Sequence, residues 1–256
     1  MLHYQCVGSG KQTLVLVHGF CENNTCFNEQ VLFFKDHCKL LVVDLPGFGK
    51  SEPMANISMD KMASEIKLVL DAENIHACIM LGHSMGGYVT LAFVEQFPNY
   101  IEGFGLIHSV ANADSEERKE KRLQVISFIE KHGKEPYIKN FIPTLFKEPA
   151  KKSNIEEAVL QGLTSNQTGI IEAAKAMMNR PDRTPILANS HKPVFFAVGK
   201  FDALIPEALM LEQAALCNLS HIAYLQNSGH MGMQEEPLWL NQEINKFLKL
   251  VAHASN

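Results

Sequence analysis

Nowhere in the 256 residues is there an apolar run of the ~18 to 20 residues that a membrane helix needs. The opening Met1-Leu2-His3-Tyr4-Gln5-Cys6 lacks the basic stretch followed by an apolar one that marks a secretory leader. No repeat and no low-complexity tract is present. Cysteine is sparse and scattered, at positions 6, 21, 26, 38, 78 and 217, without metal-site spacing. Reduced thiols in a cytoplasmic protein are therefore the expectation. No basic stripe stands out, the formal net charge is −5 and the pI is about 6.1. Nucleic acid and membrane are accordingly excluded as expected partners. The oligomeric state leaves no mark on the sequence.

What is there is a globular composition, 46% hydrophobic and 20% charged. A chain of this length supports one large domain with a substantial core, with room for an inserted lid. Leu2 to Cys6 and Gln12 to Val17 read as two strands joined by Gly8-Ser9-Gly10 in a hairpin. Leu14-Val15-Leu16-Val17 is continuously apolar, as in a sheet buried on both faces, and ends in His18-Gly19-Phe20. Leu40 to Val43 is a second buried strand, ending in the turn-rich Asp44-Leu45-Pro46-Gly47-Phe48-Gly49. Lys61 to Ala72 has a helical apolar face of Met62, Ile66, Val69 and Leu70. Cys78 to Leu81 and Gly103 to Ile107 are further strands.

From about Ala111 to His191 the apolar strand runs stop. Glu116 to His132 is charged and helical, with Leu123, Ile126 and Ile129 toward one side, Asp114 or Ser115 as its cap and Gly133 at its end. Tyr137 to Phe146, Ile155 to Leu163 and Gly169 to Asn179 read as helices too. Strand-like sequence returns at Pro193 to Gly199 and at His221 to Leu225. Helices follow at Glu207 to Cys217 and from Pro237 to about Ala252. Alternating strands and helices imply a mostly parallel sheet covered on both sides. Its ligands sit beyond the carboxyl ends of the strands. The expected organisation is a core of residues 1–110 and 192–256, with residues 111–191 inserted as a helical cap.

Chemistry concentrates at the strand ends. Ile79 to Gly87 runs strand, turn, helix, with Gly82, Ser84 and Gly86 in a Gly-x-Ser-x-Gly pattern. Three such fixed positions arise by chance in roughly one chain in ten of this size, so the placement matters more than the pattern. A strained serine at a strand-to-helix turn is lifted clear of the sheet, in front of the positive end of a helix. A serine hydroxyl needs a base, and the base needs a carboxylate to hold its tautomer. Asp202 and His230 follow Ser84 in the order that hydrolases built on this turn use.

These segments resemble a known family. Leu16-Val17-His18-Gly19-Phe20, Asp44 to Ser51, Gly82-His83-Ser84-Met85-Gly86-Gly87, Gly199-Lys200-Phe201-Asp202 and Ser228-Gly229-His230 are similar to those of the capped α/β-hydrolases. That group includes small esterases, cofactor-free haloperoxidases and lyases of the SHCHC-synthase type. The resemblance implies the α/β-hydrolase fold, a mostly parallel central sheet flanked by helices, with a helical cap. It implies Ser84 as nucleophile, His230 as general base and acid, Asp202 as its orienting carboxylate, and the backbone N–H groups of Phe20 and Met85 as the oxyanion hole. The implied substrate is a small carboxylic ester or thioester, and no metal or organic cofactor is required.

Alternatives stand beside each assignment. Asp202 could instead cap the helix after it, and Asp114 is the rival triad acid. His18, His83 and Asp44 match family turn residues that support loops. Glu22, Cys21 and Cys26 follow the oxyanion loop as ordinary loop residues or substrate contacts. Phe128, Phe141, Phe146, Met177 and Met178 could line an acyl pocket or the cap's own core. The same triad could also serve a lyase on an anionic substrate or a perhydrolase. The lyase needs arginines in the cleft, and only Arg118, Arg122, Arg180 and Arg183 exist. A ligand sensor without catalysis is the remaining reading.

Overall fold

The computed structural model describes residues 1–254. It contains strands β1 (Tyr4–Val7), β2 (Thr13–Val17), β3 (Lys39–Val43), β4 (Cys78–His83), β5 (Ile101–Ile107), β6 (Val194–Gly199) and β7 (Ser220–Leu225). Helices α1 (Asn28–Phe34), α2 (Met59–Ala72) and α3 (Met85–Gln96) lie between the first five strands. Helices α4 (Glu116–His132), α5 (Lys134–Phe141), α6 (Lys152–Leu163), α7 (Gln167–Met178) and α8 (Thr184–Asn189) fall between β5 and β6. Helices α9 (Glu207–Ala214), α10 (Gly232–Glu235) and α11 (Pro237–Ala254) complete the chain.

One seven-stranded sheet runs in the order β1-β3-β2-β4-β5-β6-β7, parallel throughout except for β1. The expected hairpin does not form. β1 pairs antiparallel with β3, Tyr4 opposite Val43, while β2 pairs parallel with β3 and with β4. The reason lies in β2. Every residue of Thr13–Val17 is buried, and both of its edges are taken by parallel neighbours. A hairpin partner would displace one of them, so β1 occupies the free edge of β3.

The core is the sheet and the helices on its two faces. β4 and β6 are buried along their whole length, as continuous apolar runs require. α3 packs on β4 and β5 with α2 beside it, while α11 packs on β6 and β7 with α1 beside it. The apolar face expected of the last helix holds: Leu240, Ile244, Phe247, Leu248 and Val251 are all buried. In α4, Ile126 and Ile129 turn inward but Leu123 is 53% exposed. Ser115, not Asp114, caps this helix, its side chain accepting from Arg118 N–H. No helix among the described residues is long and apolar enough to cross a membrane.

Candidate active site

Ser84 sits between β4 and α3 with φ 50° and ψ −114°, a backbone geometry that costs energy for any residue with a Cβ. The surroundings hold it there. Ser84 N–H donates to the Ile107 carbonyl at 2.9 Å, and Ser109 Oγ–H donates to the Ser84 carbonyl at 2.7 Å. The flanking glycines are needed for contact rather than for φ. A Cβ on Gly82 would run into the Gly86 carbonyl, and one on Gly86 into the Val17 carbonyl. α3 can therefore start directly against the ends of β2 and β4. The backbone N–H of Met85, in the first turn of that helix, has no intrahelical partner.

Asp202 and His230 come together from the loops after β6 and β7. His230 Nδ1 lies 2.8 Å from Asp202 Oδ2, and both side chains are almost wholly buried. Asp202 Oδ1 accepts from the backbone N–H groups of Leu204 and Ile205, each at 2.9 Å. Asp202 thus both caps its turn and holds a histidine, one oxygen for each. Burial opposes its ionisation, but the charge and hydrogen bond of His230, with the His108 ring close by, outweigh burial and hold the carboxyl well below the usual range. For His230, burial again opposes the charged form. The Asp202 carboxylate more than offsets it, and the imidazole is raised above its ordinary value.

His108, at the end of β5, was not singled out by the motifs. It is wholly buried, and its Nδ1 lies 3.3 Å from Asp202 Oδ2. Its Nε2 accepts from Gly232 N–H at 3.2 Å, which fixes the tautomer with the proton on Nδ1. Burial lowers its pKa to about 4. His108, Asp202 and His230 each place a ligand-capable atom within 4.8 Å of the others. With its proton on Nδ1, His108 faces the carboxylate across 3.3 Å and leaves no lone pair on that nitrogen for a metal. Only the fold brings His108 here. A single histidine after an apolar strand carries no signal by itself.

A second buried pair lies beside the first, with the His83 and His230 ring centres 4.9 Å apart. Glu22 Oε2 accepts from Gly19 N–H at 2.8 Å and lies 2.9 Å from His83 Nδ1. His83 Nε2 donates to the His230 carbonyl at 2.8 Å. Burial works against ionising Glu22, yet His83 and the Gly19 N–H bring its pKa down to about 2. Glu22 is thus more than an ordinary loop residue: through His83 it links the Gly19-Phe20 loop to the backbone of His230. His18 supports the neighbouring loops, its Nδ1 donating to the Gly19 carbonyl and its Nε2 accepting from Leu45 N–H. Asp44 binds the backbone N–H groups of Asn24 and Lys50 and the ring of His3. Burial pushes the Cys21 and Cys26 thiols well above their ordinary range, so both stay protonated.

Ser84, His230 and Phe20 line one cavity of about 520 Å³. Among the described residues no hydrogen bond joins the Ser84 hydroxyl to His230, whose Nε2 is the ring nitrogen left free by Asp202. Such contacts often tighten only when substrate is bound. Of the apolar residues expected at the pocket, Phe141 and Met177 line it. Phe128 is exposed with its ring tilted against His132, Phe146 is buried, and none of Phe128, Phe146 and Met178 lines the cavity. Arg118 and Arg122 line the cavity, whereas Arg183 pairs with Asp60 and Glu95 elsewhere. Asp114, the rival acid, is bound by Arg122 and by Arg180 at 2.6 Å and has no contact with His230.

The family model described as alpha/beta hydrolase fold matches residues 12–237. The chain belongs to the alpha/beta hydrolase family. Among solved structures, a thermophilic esterase from Thermogutta terrifontis, with malate bound, is 29% identical with a TM-score of 0.93, covering 98% of this chain and 93% of that one. An uncharacterised hydrolase, YugF, from Bacillus subtilis (strain 168) is 24% identical over 265 aligned residues, 96% of this chain and 93% of its own. A pimeloyl-[acyl-carrier protein] methyl ester esterase from Sodalis glossinidius is 31% identical over 108 residues, 42% of this chain and 40% of its own. This alpha/beta hydrolase is an enzyme, with esterases among its relatives.

Proposed function

We propose that the chain is a serine hydrolase of small carboxylic esters or thioesters, working through an acyl-enzyme on Ser84. The observation that carries this is the pairing of His230 with Asp202 at 2.8 Å beside a strained serine on the same cavity wall. His230 Nε2 takes the Ser84 proton as Oγ attacks the carbonyl carbon. The N–H groups of Phe20 and Met85 face the oxyanion of the tetrahedral intermediate. Collapse breaks the ester bond, and His230 returns the proton to the leaving alcohol or thiol. Water, deprotonated by His230, then releases the acid and restores Ser84. Residues 111–191 act as the cap that excludes bulk water, since α4, α5 and α7 all contribute to the cavity wall.

A fluorophosphonate probe with peptide mapping tests this reading. Label on Ser84 and loss of p-nitrophenyl ester cleavage in Ser84→Ala are expected; unlabelled Ser84 or an unchanged variant rejects it. A chain-length series of the same esters then sizes the acyl pocket. A second reading keeps the site but makes His230 abstract a substrate proton in a lyase reaction. Arg118 and Arg122 at the cavity give it the cations it requires. Trapping with hydroxylamine separates the two, because only the esterase forms an acyl-enzyme that yields a hydroxamate.

A further inference from the structure

α4 presents Arg118, Lys121, Arg122 and Val125 to the cavity, an i, i+3, i+4, i+7 stripe of one helix. Three of the four are cations. Among the described residues no aspartate or glutamate lines the cavity, and its remaining walls are mostly apolar, in a protein whose net charge is −5. The local sign is therefore opposite to the global one.

The three cations are compensated to different degrees. Lys121 pairs with Glu117 at 2.6 Å on an exposed surface, a contact worth little. Arg122 is bound to Asp114, but Asp114 also receives Arg180, so one carboxylate faces two guanidinium groups. Arg180 is held from behind, its guanidinium 3.8 Å from the centre of the Tyr88 ring. Arg118 forms no ion pair among the described residues and feels the Glu117 carboxylate only as a minor charge beside its lysine partner. Its Nη2 donates instead to the Leu204 carbonyl at 2.6 Å, a neutral anchor that orients the side chain without cancelling its charge. Leu204 itself lines the cavity.

We infer that the substrate cleaved at Ser84 carries a second, anionic group, a carboxylate on its acyl or its alcohol part, which Arg118 binds with support from Lys121 and Arg122. This rests on the serine-esterase reading and narrows it to acidic esters. Guanidinium and carboxylate match as planar forks, and the apolar walls around them strengthen the attraction by displacing water. Neutral esters lose that contact but still fit the apolar part of the pocket.

The test compares matched pairs. p-Nitrophenyl hemiglutarate against p-nitrophenyl pentanoate places the charge on the acyl part. The butyrate ester of 3-hydroxybenzoate against phenyl butyrate places it on the alcohol. In at least one pair the acidic ester is expected to be favoured ~3- to 10-fold in kcat/KM, mainly through KM, at low salt. The preference should shrink in 0.5 M NaCl. Arg118→Glu should abolish or invert the ratio and Arg118→Lys should restore part of it, and a ratio is insensitive to how much of each variant is folded. Equal or neutral-favouring ratios in both pairs, in enzyme whose Ser84 is labelled by fluorophosphonate, overturn the inference and leave the esterase reading standing. If Ser84 is unlabelled, glutarate binding to Ser84→Ala by calorimetry decides separately. Binding that weakens with salt and with Arg118→Glu supports an anion subsite, and no binding rejects it.

Discussion

At the scale of single residues, the site depends on how one carboxylate is shared. Asp202 spends one oxygen on two backbone N–H groups and the other on His230 at 2.8 Å, with the His108 ring 3.3 Å away. Asp202→Asn is expected to lower kcat by about 10³–10⁴-fold, as loss of the orienting carboxylate does in serine triads. In the proposed mechanism the raised His230 pKa sets the acid limb of activity. A base works only unprotonated, so the kcat/KM profile should inflect above the ordinary imidazole value of about 6.5. In Asp202→Asn that limb should move to lower pH, and stopped assays across pH 5–8 read both effects. His108→Phe removes the imidazole 3.3 Å from Asp202 and leaves Gly232 N–H unpaired. A loss of about 1–3 kcal/mol in denaturant unfolding is expected, with a smaller fall in kcat than Asp202→Asn gives.

At the scale of elements, the loop that carries His230 is fastened at both ends. Glu235 of α10 accepts from Gly229 N–H at 2.8 Å, Met231 N–H at 3.1 Å and Lys147 N–H at 2.7 Å. His230 N–H donates to the Leu145 carbonyl at 2.7 Å. Residues 142–147 belong to the segment between β5 and β6, so that segment also grips the backbone that presents His230. Glu235→Ala strands three backbone donors. We expect a stability loss of at least about 2 kcal/mol and a fall in kcat of about 10- to 100-fold with KM little changed. Calorimetry and steady-state kinetics on the same preparation check the pair of effects. Element identity was legible here from local signals. The apolar runs of β2, β4 and β6, Ser115 before α4 and the period of α11 all say where an element lies. Partner choice was not, because the Gly8-Ser9-Gly10 turn suits a hairpin and only competition for the edges of β2 sends β1 to β3.

At the scale of the whole molecule, buried histidines shape stability against pH. Folded His108 takes a proton only near pH 4, while the unfolded chain takes it near 6.5. Between those values the unfolded state binds more protons, so stability falls as pH falls. His230 acts in reverse. Its folded pKa is raised, so its contribution is full below about 6.5 and is lost as pH rises through the folded value. Glu22 adds a further loss as pH drops from about 4.5 toward about 2. Urea unfolding from pH 4 to 9 should therefore show a maximum near pH 6–7. His108→Phe should flatten its acid side by about 1–3 kcal/mol.

Residues read by local pattern were within reach of the sequence: Gly82, Ser84 and Gly86 at a strand end, Asp202 in a turn, His230 after Gly229. Backbone geometry is governed by near neighbours, so turns, caps and apolar periods report directly on it. What the fold alone decided is which distant side chains meet. His108 reaches Asp202 because β5 and β6 are adjacent, Glu22 reaches His83 because β2 and β4 are, and Arg118 faces the cavity because α4 crosses above it. Such encounters are set by packing between segments tens of residues apart, and a lone histidine, glutamate or arginine in a chain carries no trace of them.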